Sequence, residues 1–470
     1  MEKDLTRGKP SKLILTFALP LFIGNVFQQL YSMVDTIIVG QTVSTQALAG
    51  VGATGALSFL IIGFVQGMTS GFAVLTSQKY GARDEDGVKK TVAASVVLSL
   101  VMSAVLTAIS VPLMRPLLTL MNTPASIIDY ADSYIVTICW GLTATVFYNM
   151  FSSLLRAVGD SKSPLFFLIL ASVLNIGLDF LFIVVFKMGV AGAGWATAIS
   201  QAVSALACLA HIVRKFRILH ISKHHFKFGF RIAKQMTVLG LPMALQFSIT
   251  AVGVMVQQSA LNGFGETVVA AYTAASKIDT LAVQALVAMG TAIATYCGQN
   301  AGARRYDRIK SGVRAGMLIS AVCAVVAALF VILPAKPLTS LFISDPGEEI
   351  LNLSQTYLFY QGIFYIALGA IFVYRNALQG MGYSALTMLA GATELVMRII
   401  AAFALAAAIG FTGICLSNPV AWLGADVFLL AAYPLLLRKK LKTASPLPVA
   451  AVEPTESTSP CEAITEKRAA

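Results

Sequence analysis

Gln78-Lys79-Tyr80-Gly81-Ala82-Arg83 and Gln299-Asn300-Ala301-Gly302-Ala303-Arg304 decide the fold, because one Gln-x-x-Gly-Ala-Arg pattern closes a long apolar run twice, about 221 residues apart. Moving outward from the two copies, the correspondence continues with small slips. Leu19-Pro20 opens its half as Leu241-Pro242 opens the other. Arg156-Ala-Val-Gly159 falls opposite Gln379-Gly-Met-Gly382, and Gly189-Val-Ala-Gly192 opposite Gly410-Phe-Thr-Gly413. Gly, Ala and Leu recur in any membrane protein, but matched motifs at matched positions point to an internal repeat.

Of the 470 residues, 57% are hydrophobic and 12% charged, against roughly 25% charged in an average soluble domain. About twelve runs reach the roughly 20 apolar residues that a helix needs to cross a bilayer. The expected fold is therefore an all-α polytopic membrane protein built from two pseudo-symmetric six-helix bundles. The first should occupy residues 1–213 and the second 235–442, joined by a basic cytoplasmic linker over 214–234. Residues 443–470, rich in Pro, Ser, Thr and Glu, lack the apolar content to fold and are expected to be disordered. Six spans per half is an even number, so both halves enter the membrane in the same sense. An axis along the membrane normal should relate them, with a cavity between.

The net charge of +12 does not point to nucleic acid, because the cations sit in particular loops. Lys79, Arg83, Lys89 and Lys90 follow the second span, Arg156 and Lys162 the fourth, and Arg304, Arg305, Arg308 and Lys310 the eighth. Arg214 to Lys234 fills the linker, and Arg438, Lys439, Lys440 and Lys442 follow the last span, whereas the loop with Asp345, Glu348 and Glu349 is acidic. Positive loops face the cytoplasm; both termini are expected inside, in a bacterial plasma membrane. The apolar run Leu13–Val39 is too long for a signal-peptide core and is read as a retained first helix.

Several chemistries are not supported. The cysteines, Cys139, Cys208, Cys297, Cys323, Cys415 and Cys461, are scattered without metal-ligand spacing and read as packing residues. No G-x-x-x-x-G-K-[ST] loop is present, so energy must come from an ion gradient or a partner. His211, His220, His224 and His225 fall at or in the linker; His220-x-x-x-His224 has a metal-clip spacing, but no Cys or acid stands beside it in sequence, and a solvated loop is expected. No cluster of catalytic residues on an enlarged loop suggests an enzyme.

Asp35 is different. It stands in the apolar stretch Leu30-Tyr-Ser-Met-Val-Asp35-Thr-Ile-Ile-Val-Gly40. An acid at the centre of a spanning helix costs about 2.5–3.5 kcal/mol on insertion scales, and such acids characteristically line ion or proton pathways.

Together with Val34-Asp35-Thr36 and Gly40, the two Gly-Ala-Arg loops, Arg156-Ala-Val-Gly-Asp160 and Leu174-Asn175-Ile-Gly-Leu-Asp179-Phe180 give the chain its resemblance. Over roughly residues 10–440 it resembles the multidrug and toxic compound extrusion (MATE) family of bacterial efflux transporters, in the multidrug/oligosaccharidyl-lipid/polysaccharide flippase superfamily. The resemblance implies a V-shaped pair of bundles working by alternating access, exporting organic cations or drugs in exchange for inward Na⁺ or H⁺. It also implies a cation site at Asp35, Asn175 and Asp179, with Asn149, Thr197 and Gln28 contributing; no cofactor beyond the coupling ion is implied. The residues agree on their own terms. Asn175 and Asp179 are i and i+4 on one helix face, and carboxylate, amide and hydroxyl oxygens suit a hard cation. Two close acids in low dielectric would otherwise share a proton. The alternative is that both acids merely bridge helices as polar glue.

The second half departs from the pattern. Ala244-Leu-Gln246-Phe-Ser248-Ile-Thr250 contains no carboxylate, so a second cation site there is not supported. Lys277 and Asp279 lie on the eighth span, and Asp426 on the twelfth has no assigned role. Glu394 and Arg398, at i and i+4, are expected to form an intrahelical ion pair; alternatively Glu394 meets cationic cargo, with Gln257, Tyr272 and Met289, and also Gln258, Tyr31 and Tyr365, as cavity wall. Pro20, which removes a backbone bond early in the first span, is expected to act as a hinge that repositions Asp35. The chain is expected to be a monomer in the bilayer. The main rival is a lipid-linked precursor flippase of the same superfamily, a type that usually has about fourteen spans and a cationic cavity; a membrane enzyme and a passive channel are disfavoured.

Overall fold

The computed structural model describes residues 3–343 and 347–443, apart from the side chain of Thr36. The expected disordered tail, Asp345, Cys461 and the Thr36 side chain lie outside the described residues. Within them the chain is helical, and no strand occurs among the described residues.

We number the spanning helices in chain order. In the first half they are α1 (Pro10–Thr42), α2 (Gly55–Gly81, preceded by the short helix Thr45–Ala53), α3 (Glu85–Leu120), α4 (Ile128–Trp140 and Leu142–Ala157), α5 (Lys162–Asp179) and α6 (Val190–Lys215). In the second half they are α7 (Gly229–Asn262), α8 (Glu266–Ala282 and Gln284–Gly302), α9 (Tyr306–Ile332), α10 (Glu348–Ile363 and Tyr365–Gly380), α11 (Ser384–Ile400) and α12 (Phe411–Thr443). Among the described residues, ten are long and apolar enough to span a bilayer as they stand, and up to twelve if each bent pair counts as one span. The bent pairs are α4, at 51°, and α10, at 46°.

The repeat reaches into backbone detail. The bent helices are the fourth of each half. A π-wound turn follows α5 at Phe180–Val185 and α11 at Ala401–Leu405. The left-handed residues also recur in pairs: Arg83 and Arg304 at φ 57° and 56°, Gly159 and Gly382 at 90° and 92°, Gly189 and Gly410 at 60° and 63°. At these three places corresponding elements break at the same local backbone conformation.

The halves meet along α2 and α7, where missing side chains let backbones touch. A Cβ on Gly71 would lie 2.2 Å from Gly240 Cα, and one on Gly67 2.4 Å from Ala244 Cα. At the end of the same seam the two Gln-x-x-Gly-Ala-Arg motifs cross. A Cβ on Gly81 would strike the Gln299 carbonyl and one on Gly302 the Gln78 carbonyl, each at 1.8 Å. The motif that marks the repeat in sequence is thus its point of self-contact in three dimensions.

Residues 3–8 run across this junction as a strap. Lys3 N–H donates to Val158 O (3.1 Å), and Leu5 N–H to Gln299 Oε1 (2.8 Å). Gln299 Nε2 donates to Ala157 O (2.9 Å), Asn300 Nδ2 to Leu5 O (3.2 Å) and Arg308 Nη2 to Gly8 O (2.8 Å). α1 continues the bridge: Ile14, Phe17, Ala18 and Leu21 share one buried cluster with Ile278, Ile293 and Tyr296 of α8, while farther along α1 packs on α5. Pro20 lies, buried, inside the α8-facing portion.

Candidate functional site

α1 brings Asp35, and α5 brings Asn175 and Asp179, to one buried place in the first half. Their relative exposures are 8%, 2% and 0%. The two carboxyl groups lie close enough to act on each other electrostatically. Asn175 Nδ2 donates to Thr197 Oγ1 of α6 at 3.4 Å, which leaves the amide oxygen free on the other side. Tyr31 of α1 and Tyr134 of α4 are half-buried close to both acids.

The decisive feature is what these oxygens lack. Asp35 Oδ1, Asn175 Oδ1 and both Asp179 oxygens are buried with no protein donor. A buried acceptor without a partner costs on the order of 1–3 kcal/mol, and more when charged. Polar glue between helices would spend these atoms on donors from neighbouring helices, and that is not the arrangement here. A proton shared between the carboxyls, or a hard cation taking several oxygens, relieves the deficit. The donor set is all oxygen, which fits Na⁺ and gives no soft or nitrogen ligand for a transition metal.

The other expected members of the site are placed differently. Thr197 is half-buried and joins through its bond to Asn175. Asn149, half-buried on α4, donates its amide to Thr145 O on its own helix at 2.9 Å. Gln28 stands seven residues, two turns, before Asp35 on α1, about 10 Å along the axis at 1.5 Å per residue.

In the second half the expectations for cargo contact need correction. Glu394 is held from two sides, by Arg375 Nη2 of α10 at 2.6 Å and Arg398 Nη2 of its own helix at 2.8 Å. The intrahelical pair is present, but the partner from α10 was not foreseen, and both carboxylate oxygens are engaged. Asp426 is buried in the field of Arg375 and Glu394, with Oδ1 unpartnered. Asp279 accepts from the Tyr365 hydroxyl at 2.6 Å. Tyr272 packs edge-on against Tyr357, ring centres 4.9 Å apart; Met289 belongs to the buried cluster and Gln257 is 2% exposed. In the middle of α7, Gln246 accepts from Gln379 Nε2 (3.0 Å); that amide also donates to Thr387 (3.2 Å).

Between the halves lies a cavity of about 340 Å³, walled by α2, α4, α7, α8 and α10. Glu394, Gln257, Tyr272 and Met289 are not among its lining residues, whereas Arg156 and Arg375 are. A larger hollow of about 870 Å³ is lined by Phe147, Trp195, Leu206 and other apolar residues of α3, α4 and α6; it lacks the charged groups of the central cavity and suits lipid chains. Sequence reasoning missed Arg156 and Arg375 as cavity residues: Arg156 was read as a loop cation after the fourth span, whereas it stands in the last turn of α4.

The linker histidines also differ from expectation. An acid does stand beside them: Asp86, at the start of α3, offers an oxygen within 4.8 Å of nitrogens on His224 and His225. The histidines are nonetheless in use as turn formers. Ser222 N–H donates to His225 Nδ1 at 2.9 Å, which puts a neutral ring's proton on Nε2, facing Asp86 Oδ1 at 3.8 Å.

Comparison with known proteins agrees with the repeated architecture. The MatE family model matches residues 20–181 and again 242–404. A probable multidrug resistance protein, YpnP, of Bacillus subtilis is 29% identical over 81% of this chain and 84% of its own length. Among solved structures, the outward-facing conformation of a multidrug resistance MATE family transporter superposes with a TM-score of 0.89 at 24% identity, covering 94% of this chain and 98% of that one. A superfamily transporter from Pyrococcus furiosus, described as having a binding pocket of reverse polarity, superposes with a TM-score of 0.88 at 24% identity, over 94% and 98% of the two chains.

Proposed function

The chain belongs to the MatE family, a family of multidrug efflux transporters embedded in membranes, and from that premise we propose that it is a secondary active exporter driven by inward exchange of Na⁺ or H⁺ at Asp35 and Asp179. The observation that carries this reading is the set of four buried oxygens without donors on Asp35, Asn175 and Asp179. In the cycle we propose, the ion neutralises the acid pair, α1 shifts against α5, and the shift reaches the other half through the α1–α8 contact. The pair takes up its ion from outside as cargo leaves the cavity between the halves, and gives the ion up to the cytoplasm before the next cargo binds. The protein works as a monomer in the plasma membrane, with both termini in the cytoplasm, and its cargo is a small organic compound with an apolar body, the class that includes drugs.

Na⁺ needs no resident cofactor beside it: the carboxylates, the Asn175 oxygen and the Thr197 hydroxyl are the ligands this chain would supply. The reading is tested by dye efflux in everted vesicles under imposed Na⁺ or pH gradients, for the parent and for Asp35→Asn and Asp179→Asn. Both variants should reach the membrane and lose gradient-driven efflux; normal pumping by either removes its aspartate from the coupling site. A lipid-linked precursor flippase is the second reading, favoured by Arg156 and Arg375 at the cavity. The count of at most twelve spans among the described residues stands against it.

A further inference from the structure

The central cavity has a polarity opposite to that expected for organic cations. Two guanidinium groups face it, Arg156 from the second segment of α4 and Arg375 from the second segment of α10, the corresponding bent helices of the two halves. No carboxylate is among its described lining residues. The remaining polar wall includes Ser70, Gln246 and Asn376, whose hydroxyl and amide groups can donate to an anion.

Among the described residues Arg156 has no acid partner, and Arg375 has only a shared one. Arg156 Nη2 donates to the Ser153 hydroxyl at 2.8 Å, and no ion pair joins Arg156 to an acid among the described residues. Arg375 shares Glu394 with Arg398, so two cations meet one anion there, and Arg375 Nε is buried without an acceptor. Asp426 lies in the same field but makes no ion pair with Arg375, and it does not line the cavity. Unbalanced cations inside a membrane protein are costly and mark a substrate or ion path. Guanidinium groups pair in bidentate fashion with carboxylate and phosphate oxygens.

We infer that the cargo of this transporter is an amphiphile whose head is a compact anion, a carboxylate, sulfonate or phosphate, bound between Arg156 and Arg375 with its apolar part along Phe59, Phe247 and Phe372. The inference rests on the export reading and names the cargo of that cavity. An organic cation placed there would face two like charges and no acid. An anion supplies the acceptor that the Arg156 guanidinium lacks beyond its one bond to Ser153. The head can belong to a soluble compound or to a lipid, and both present the same oxygens to the arginines.

The test is counter-gradient uptake into proteoliposomes of the full chain, with carboxyfluorescein as anionic probe, ethidium as cationic probe, and headgroup-labelled phosphatidylglycerol beside labelled phosphatidylcholine as the lipid arm. The parent should move carboxyfluorescein or phosphatidylglycerol at several times the ethidium and phosphatidylcholine rates. Which of the two anions moves tells a soluble cargo from a lipid. Arg156→Gln should lower the anion rate roughly tenfold or more, the equivalent of one charge-assisted hydrogen bond, while Arg156→Lys retains part of it. Asn376→Asp, which adds a carboxylate to the wall with almost no change of shape, should lower anion movement and raise ethidium movement. Should Arg156→Gln fail to fold, the sign of the Asn376→Asp effect decides. Ethidium moving ahead of both anions in the parent, unchanged in these variants, overturns the anionic cargo and leaves ion-driven export standing. No movement of any probe overturns both.

Discussion

Glu394 shows how far a single residue can be read in isolation. Its carboxylate joins Arg375 and Arg398 at 2.6 and 2.8 Å in a buried triad. Breaking a buried ion pair by removing one partner costs about 3–5 kcal/mol, because the remaining charge is stranded. Glu394→Gln is therefore expected to lower the thermal unfolding temperature in detergent and the yield of folded protein; unchanged melting would mean the triad is not structural. The half of the triad within α11 was legible, since Glu394 and Arg398 are four residues apart. Arg375 was not, because its approach depends on how α10 packs beside α11 and no periodicity in one helix encodes a neighbour. Asp35, Asn175 and Asp179 were legible for a related reason: acids inside apolar runs are rare, and Asn175 and Asp179 share a face by spacing alone. Asp86 beside His224 and His225 was illegible, as a contact between the start of α3 and the distant linker.

Among the elements, α1 and the strap before it carry the argument. The strap is tied by the buried side chains of Gln299 and Asn300, and by Arg308. Gln299→Ala deletes one acceptor and one donor, orphaning Leu5 N–H and Ala157 O, at a cost of about 1–3 kcal/mol for each group left buried. Faster amide hydrogen exchange at residues 3–8 and at the end of α8 is expected; protection equal to the parent would show that the strap is held by packing alone. Pro20 lies where α1 packs against the α8 cluster, and Asp35 where α1 has reached α5, so flexing between them links the two halves. Pro20→Ala restores a backbone bond and should reduce ion-dependent efflux without loss of membrane insertion, and normal efflux with normal ion dependence would remove the hinge. The presence of about twelve spans was readable from the apolar runs. The bends of α4 and α10 and the π-wound turns were not, since Trp140-Gly141-Leu142 and Phe364-Tyr365 contain no proline to announce a break.

At the scale of the whole molecule, the repeat brings identical motifs face to face. Gly81 and Gly302 each touch the backbone of the opposite copy, so the seam at this end is closed by two equivalent contacts that must open together if the cavity is to face the other way. Gly302→Ala places a methyl against the Gln78 carbonyl; overpacking of this kind costs about 1–3 kcal/mol, and the closed seam should lose population. Labelling of a cysteine introduced at Ser77 should accelerate in the variant, and an unchanged labelling rate would show that the seam is not a gate. The coupling claim governs the rest: two buried aspartates on α1 and α5 exchange a small cation for the passage of cargo. Its most direct test is simultaneous measurement of cargo flux and counter-ion flux in the same proteoliposomes, with an internal pH dye and radiolabelled Na⁺, for the parent and for Asp179→Asn. The account predicts that in the parent one of the two ions moves opposite to cargo, and that Asp179→Asn loses both fluxes together. Cargo moving in the parent with neither ion, or coupled exchange persisting in Asp179→Asn, would contradict it.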